Sequence, residues 1–228
     1  MKQIWIIGAM VVGAVAISSV LVLGHDQGAG LQSGPTPQSV GLPWQIKPLP
    51  AGRVGVMGLT LGAGGSTLAD AQKLWGPMLE LAVVAAPGED GTLEAFVDPV
   101  SAGFISGKLV LTLDAPAAAV VGLKVRSVKS DYMESITKKY TLAATDREGA
   151  AAYAISAVTF IPQAKLDAAT VLARFGTPQE RLRTSRDTEH FLYPTQGLDL
   201  ALNARGKDVL QYVAPADFAR LSAPLRAP

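Results

Sequence analysis

Residues 198–214, LDLALNARGKDVLQYVA, form the clearest structural pattern in this chain. Two runs of alternating apolar and polar residues flank a turn that contains Gly206, and glycine readily adopts the backbone angles that a tight turn requires. Alternation with a period of two indicates strands that bury one face. The segment therefore predicts an antiparallel β-hairpin with strands over 198–204 and 207–214.

The hairpin belongs to a block that starts with a short helix, and a similar block lies earlier in the chain. Asp167 and Thr67 are each suited to cap a helix, and glycine ends both helices, at Gly176 and Gly76. Runs with β character follow each helix. They are 79–86, 93–100 and 108–114 in the first block and 189–194, 198–204 and 207–214 in the second. The pattern predicts a faint internal repeat of a helix and a three-stranded meander.

Two short motifs in the second block support a family resemblance. The helix runs into Phe175-Gly176-Thr177-Pro178, and the next strand carries Phe191-Leu192-Tyr193. On these residues the block resembles the BamE/SmpA/OmlA-type module of outer-membrane assembly lipoproteins and inhibitor-like periplasmic domains, and Leu74-Trp75-Gly76-Pro77 matches it more loosely. The chain as a whole resembles membrane-anchored proteins of proteobacteria. The resemblance implies a helix-plus-meander fold, here in tandem, and a role in assembling or stabilising envelope protein complexes.

Residues 4–23, IWIIGAMVVGAVAISSVLVL, carry no charge and are mostly apolar. A helix of this length spans roughly 30 Å, the thickness of the bilayer's hydrocarbon core. Because Lys2 precedes the run, we expect a cytoplasmic N-terminus and a periplasmic body in the bacterial inner membrane. Two pairs of small residues, four positions apart, could contact another membrane helix: Ala9 with Gly13 and Ala14 with Ser18. The alternative is a secretory signal cleaved near Ala16.

Composition divides the chain into six parts and predicts an α+β fold, arranged either as two similar helix-plus-meander modules side by side or as one continuous sheet with helices on a face. The expected parts are a transmembrane signal anchor (1–24), a Gly/Pro/Gln/Ser-rich linker (25–43), a first α+β module (44–116), a connecting helix and strand (117–164), a second module (165–221) and a tail (222–228).

Within the connecting part, apolar spacing over 123–140 predicts an amphipathic helix with five basic and two acidic residues. Its basic face could contact anionic lipid or a partner protein, or it could simply face solvent. Residues 155–161 predict a buried strand beside the second module. Earlier in the chain, Val54, Val56 and Leu59 alternate and predict a short strand.

The charge and residue counts exclude several functions. Twenty basic and nineteen acidic residues give a net charge of +1, which does not favour nucleic-acid binding. The chain contains no cysteine, which excludes disulfides, thiolate metal sites, a cysteine nucleophile and a lipoprotein-type lipid attachment. The glycine-rich loop 62–67 has no lysine before Ser66, so it does not match a nucleotide-binding P-loop. The sequence predicts no cofactor and no nucleotide.

The sequence also does not match a catalytic or metal-binding motif. His190 follows Ser185 and Asp187 in sequence, but the chain has no G-x-S-x-G elbow and closeness in sequence is not triad geometry. A metal site would need the carboxylates of Glu94, Asp98 and Asp114, whose spacing fits no calcium loop. The sequence therefore predicts neither catalytic nor metal-ligating residues.

Binding is the activity that these patterns favour. A sheet with an open edge can recruit another chain by strand addition, and the resemblance implies an envelope protein as the partner, in addition to membrane lipid around residues 4–23. The expected contact residues are Tyr193, Gln211 and Tyr212. Two alternatives stay open: an accessory subunit that docks into an inner-membrane complex through its transmembrane helix, and a periplasmic hydrolase built around His190.

Overall fold

The computed structural model describes residues 41–133 and 136–226, which form thirteen strands and five α-helices. The strands are β1 (Lys47–Leu49), β2 (Arg53–Val56), β3 (Leu59–Leu61), β4 (Leu79–Ala85), β5 (Thr92–Ala102), β6 (Ile105–Leu113), β7 (Lys129–Tyr132), β8 (Lys138–Thr141), β9 (Ile155–Pro162), β10 (Glu180–Arg183), β11 (Thr188–Tyr193), β12 (Leu198–Asn203) and β13 (Val209–Val213). The helices are α1 (Leu68–Trp75), α2 (Ala117–Val125), α3 (Ala144–Gly149), α4 (Ala168–Phe175) and α5 (Phe218–Ser222).

Ten of the strands form one antiparallel sheet in the order β10-β11-β12-β13-β9-β6-β5-β4-β8-β7, and β1, β2 and β3 form a second, small sheet. The central strand β9 pairs with β6 on one side and with β13 on the other. The predicted strand at 155–161 is therefore confirmed beside the second meander, and the same strand also joins the first.

The predicted α+β fold class is wrong, and so is the expected arrangement of two helix-plus-meander modules side by side; of the two arrangements that the sequence left open, the strands form the continuous sheet. The described part of the chain is mostly β, with few and short helices, and β9 joins the two predicted modules into one continuous ten-stranded sheet. The physical reason is that β6 and β13 each have a free edge in an isolated meander, and pairing both edges with β9 satisfies their main-chain hydrogen bonds.

The predicted transmembrane helix at 4–23 lies outside the described residues, as do its small residues Ala9, Gly13, Ala14 and Ser18 and most of the linker. Across residues 41–133 and 136–226, none of the helices combines the length and apolar character needed to cross a bilayer.

Helices α1 and α4 confirm the predicted helices and their caps. Asp167 Oδ1 accepts a hydrogen bond of 2.7 Å from the Thr170 backbone N–H. At α1, the Asp70 carboxylate accepts a 3.0 Å bond from the backbone N–H of Thr67, which forms a capping box. Gly76 and Gly176 end the two helices with positive φ angles of 45° and 78°. These local signals were strong enough for the sequence to locate both helices.

One face of the large sheet carries the main core. Helices α1, α2 and α4 and the small sheet pack against this face, whose largest fully buried side chains include Phe160, Phe191 and Tyr212. The N-terminal segment is tied to it, because the Tyr212 hydroxyl donates a 2.7 Å hydrogen bond to the Trp44 carbonyl. The Trp44 ring lies 5.6 Å from the Phe175 ring, centroid to centroid.

The opposite face is covered only in part. Helix α5 packs Phe218 and Leu221 against Leu192 and Val213 at the β10–β13 end. Residues 222–226, which the sequence predicts as part of a loose tail, instead complete α5 and form a 3-10 helix. Towards β4, β5 and β6, this face has a smaller apolar cluster of Ala82, Phe96 and Val110.

Candidate functional site

Residues 123–140 do not form the predicted amphipathic helix. Helix α2 ends at Val125, and the chain then forms the β7–β8 hairpin. Val128, Tyr132 and Ile136 are four residues apart, and this spacing is compatible with a helical period of 3.6 as well as with one face of a strand. Tyrosine and the β-branched residues here favour strands. In addition, β8 pairs with β4 through long-range hydrogen bonds that a helix over 123–140 would not form.

Strand β7 is an open edge of the ten-stranded sheet, because it pairs only with β8. The Met133 backbone N–H donates a 2.9 Å hydrogen bond to the Thr137 carbonyl. Hydrogen-bonded and non-hydrogen-bonded pairs alternate along an antiparallel ladder. The N–H and C=O groups of Ser130 and Tyr132 therefore point away from β8, toward solvent, where another strand could bind them.

Large apolar side chains are exposed along this strand. Val128 is 67 % exposed, Tyr132 69 % and Ile136 71 %. Isolated exposed apolar residues are common, but three on one short hairpin beside a free strand edge indicate an interaction site. We call strand β7 with Val128, Tyr132 and Ile136 the β7 edge.

The charges around the β7 edge are mostly basic. Lys129 pairs with Asp131 at 2.9 Å, and Lys139 pairs with Glu80 at 2.7 Å. The Lys138 ammonium instead lies 4.6 Å from the centroid of the Tyr132 ring, a cation–π contact at the surface. These ion pairs are exposed and contribute little stability, so their side chains can rearrange when a partner binds.

The opposite edge of the sheet, β10, is better protected. Its side chains are mostly charged, and Arg181 pairs with Glu189 of the neighbouring strand. Arg226 near the C-terminus pairs with Glu180 at the start of β10. Charged side chains and covering segments are common means of blocking an edge strand. The β7 edge is therefore the stronger candidate for strand addition.

No family model, curated protein or solved structure matches this chain. We therefore infer its function from the geometry and chemistry of its sites.

Two of the three predicted contact residues are buried. Tyr193 is 2 % exposed and donates a 3.0 Å hydrogen bond to the Gly176 carbonyl, and Tyr212 is fully buried beneath Trp44. Burial raises the pKa of Tyr212 well above its usual value. Gln211 lies on the other face of β13, beside Thr159. Tyr193 and Tyr212 serve the core of the folded domain and are not available as a contact surface.

The predicted histidine has a carboxylate partner that the sequence did not identify. His190 Nδ1 lies 2.9 Å from Asp199 Oδ1 and 3.0 Å from Oδ2, and both residues are buried. Asp199 lies diagonally across the β11–β12 ladder from His190, on the same face. A histidine and a carboxylate on diagonal cross-strand positions were the available signal, once the hairpin register is known.

Ser185 and Asp187 do not complete a triad with His190. The Ser185 hydroxyl accepts hydrogen bonds from the backbone N–H groups of Asp187 and Thr188, at 3.2 and 3.0 Å, and so fixes the turn before β11. Asp187 pairs with Arg205. The three residues thus have separate structural partners in place of the nucleophile–base–acid chain of a hydrolase.

The three carboxylates considered for a metal site lie at separate places on the sheet. Glu94 lies in the middle of the open face, opposite Ala82 and Thr112, whereas Asp98 and Asp114 are exposed near the two ends of the β5–β6 hairpin. Within residues 41–133 and 136–226, no group of three or more histidine, aspartate or glutamate residues could hold a metal ion.

Glu94 makes the domain sensitive to pH. Burial raises its pKa from 4.5 to about 7, although the 2.8 Å hydrogen bond from the Thr92 hydroxyl and the charge of Lys108 oppose the shift. Between these two values the folded protein holds a proton that the unfolded chain has lost. Stability therefore falls as pH rises through this window and stays reduced above it.

We expect Glu94→Gln to stabilise the domain above pH 7 and to have little effect near pH 4.5. The expected gain is roughly 1–3 kcal/mol, the upper value being the full equivalent of the pKa shift. The lower part of this range is favoured because Glu94 keeps part of its surface in water. Urea unfolding at several pH values measures the gain.

Thr92→Val is the matched variant for this experiment. It removes the hydroxyl that stabilises the Glu94 carboxylate, so the stability loss should extend to higher pH. A Glu94→Gln protein with the same pH dependence as the wild type would contradict this assignment.

Proposed function

We propose that this chain is a binding protein without catalytic activity that supports the assembly of a bacterial envelope complex. Residues 4–23 hold it in the inner membrane, and the body lies in the periplasm. The observation that carries the proposal is the β7 edge, where the free main-chain groups of Ser130 and Tyr132 lie beside exposed Val128 and Ile136. An extended segment of the partner binds there as an eleventh strand.

Strand addition at this edge combines two kinds of interaction. Ser130 and Tyr132 each offer one N–H and one C=O group, which bind any extended main chain regardless of its sequence. Specificity then comes from side chains. Val128 and Tyr132 lie on one face of the strand and bury apolar side chains of the partner, and Lys129 and Lys138 favour a partner segment with acidic residues.

The edge is short, and this sets the strength of binding. Four residues of β7 cannot form the large buried area of a permanent complex. We therefore expect a weak and reversible contact, as for an assembly factor that binds its client protein transiently. The envelope as the location of the partner rests on the sequence resemblance of residues 165–221 to modules of assembly lipoproteins.

Ser130→Pro tests strand addition directly. Proline removes the outward N–H of Ser130 but leaves the bonds between β7 and β8 intact, since an edge strand accepts proline where its N–H faces solvent. With a photo-crosslinking amino acid in place of Tyr132 in the full-length protein, we expect an adduct with a partner in native membranes. The Ser130→Pro variant should lose most of this adduct.

Ser130→Ala is the matched control and should keep the adduct, because it retains the N–H. Arg183→Pro, on the β10 edge, should also keep it. An adduct that forms equally well with Ser130→Pro, or no adduct at all, would contradict strand addition at β7. If Gly13→Leu releases the partner whereas Ser130→Pro does not, the alternative accessory subunit docked through its membrane helix is correct.

A further inference from the structure

The hairpin of β5 and β6 extends beyond the rest of the sheet. Pairing of β5 with β4 ends at Val97, and pairing of β6 with β9 ends at Gly107. Beyond these points the ladder pairs only β5 with β6, up to Ala102 and Ile105, and Ser106 is additionally hydrogen-bonded to Gln163, just after β9, at 2.8 Å through the backbone and 2.9 Å through the side chains. We call residues 98–106 the finger.

Phe104 lies at the tip of the finger and is 95 % exposed. Every other exposed large apolar residue of the described chain is more covered, the next being Val125 at 79 %. Gly103 forms the turn with a φ angle of 73° and places the aromatic ring outward. The tip residues 100–107, VSAGFISG, carry no charge. Val100 and Ala102 are buried in the core, so the exposed apolar part of the tip is Phe104 at the turn. An uncharged turn with one exposed aromatic residue can enter an apolar phase without removing a charge from water.

The first described residues lie against this finger. A Cβ atom at Gly103 would come within 2.8 Å of Leu42 Cδ2, which shows how closely the N-terminal segment approaches the tip. Only residues 24–40 separate this segment from the predicted membrane helix. Even a fully extended chain of this length reaches at most about 60 Å, so the tip is held within that distance of the bilayer surface.

We propose that Phe104 inserts into the interfacial region of the membrane that holds residues 4–23. The finger thereby makes a second membrane contact and fixes the orientation of the body, which a single attachment to the membrane would leave free. This inference rests on the membrane anchoring in the proposed function but is independent of the partner at the β7 edge. We assign the lipid bilayer as the partner of Phe104 because the N-terminal segment, which leads to the predicted membrane helix, lies against the same tip that exposes this ring.

The absence of cysteine from the chain allows a specific test. The full-length Ser101→Cys variant is labelled with an NBD fluorophore and reconstituted in phosphatidylethanolamine/phosphatidylglycerol vesicles. The label then lies on the finger, and Phe104 is unchanged. We expect blue-shifted NBD emission and quenching by nitroxide-labelled lipids. Adding Phe104→Ser should return the emission to that of an aqueous environment. Val125→Cys, at an exposed apolar residue away from the finger, should report water in both backgrounds.

A third label, Gly13→Cys, reports separately on the predicted membrane helix. If the Gly13 label is quenched by lipid and the Ser101 label remains in water, the finger inference is overturned while the anchor stands. If the Ser101 label is in lipid and the Gly13 label is in water, the anchor is wrong, and the inference as stated is overturned with it because it requires residues 4–23 in the same membrane. Emission from the Ser101 label that does not respond to Phe104→Ser would also overturn the inference.

Discussion

Replacing Asp208 with alanine is expected to lower the free energy of unfolding by about 3 kcal/mol or more. Its carboxylate is 2 % exposed and accepts hydrogen bonds from the backbone N–H groups of Leu166 and Asn203, at 2.8 and 3.0 Å. It also pairs with Lys165 at 2.9 Å. Alanine leaves both N–H groups without an acceptor in the folded protein, and each loss carries a desolvation penalty.

Urea unfolding of the Asp208 variants measures this effect. Asp208→Asn retains one acceptor oxygen and should lose less stability than Asp208→Ala. Asp131→Ala, which breaks the exposed ion pair with Lys129, should change stability by at most about 0.5 kcal/mol. If Asp208→Ala were no more harmful than Asp131→Ala, the carboxylate would not be needed to join the segment before α4 to the β12–β13 hairpin.

Gly197→Ala is expected to be more harmful, with a loss of about 4 kcal/mol or more, because it combines backbone strain with a steric clash. Gly197 has a φ angle of 69°, and an added Cβ would lie 2.0 Å from the Val213 carbonyl oxygen. The Val213 N–H in turn donates a 2.9 Å bond to the Gly197 carbonyl. To fit the methyl group, the chain must move β13 away from β12.

Gly176→Ala separates the two contributions. Its φ angle is 78°, but an added Cβ meets no atom within 4 Å. The cost there should be limited to backbone strain, about 1–3 kcal/mol, because φ 78° with ψ −165° is a combination that residues other than glycine rarely adopt. Thermal unfolding of both variants gives the comparison. Equal losses would mean that the clash at Gly197 relaxes without moving the strand.

Local sequence patterns located most of the regular elements but not the way in which they assemble. The helices ending at Gly76 and Gly176 and the hairpin of 198–214 carry caps, glycine turns and alternation, and all are confirmed. The segment of Val54, Val56 and Leu59 was predicted as one strand, but positive φ angles at Met57 and Gly58 fold it into two. Nothing in the sequence indicates that a methionine would adopt a positive φ angle.

The candidate site was harder to predict because it depends on long-range pairing. Alternation in β13 indicates that Tyr212 and Gln211 face opposite sides, but not which side is covered. Trp44, which covers Tyr212, lies 168 residues away in the chain. At the other end, the four-residue spacing of Val128, Tyr132 and Ile136 fits both helix and strand. Only the pairing of β8 with β4 makes β7 a free edge.

The central place of β9 has a consequence for how this protein is made. Phe160 in β9 pairs with Leu109 of β6 and with Leu210 of β13, each about fifty residues distant in sequence, and distant pairings of this kind slow folding. A chain that emerges N-terminus first leaves one edge of β9 unpaired until β13 emerges, a stage prone to aggregation. Biogenesis of this protein is therefore most vulnerable after β9 has emerged and before β13 has emerged, and a product truncated between these strands would retain the unpaired edge of β9.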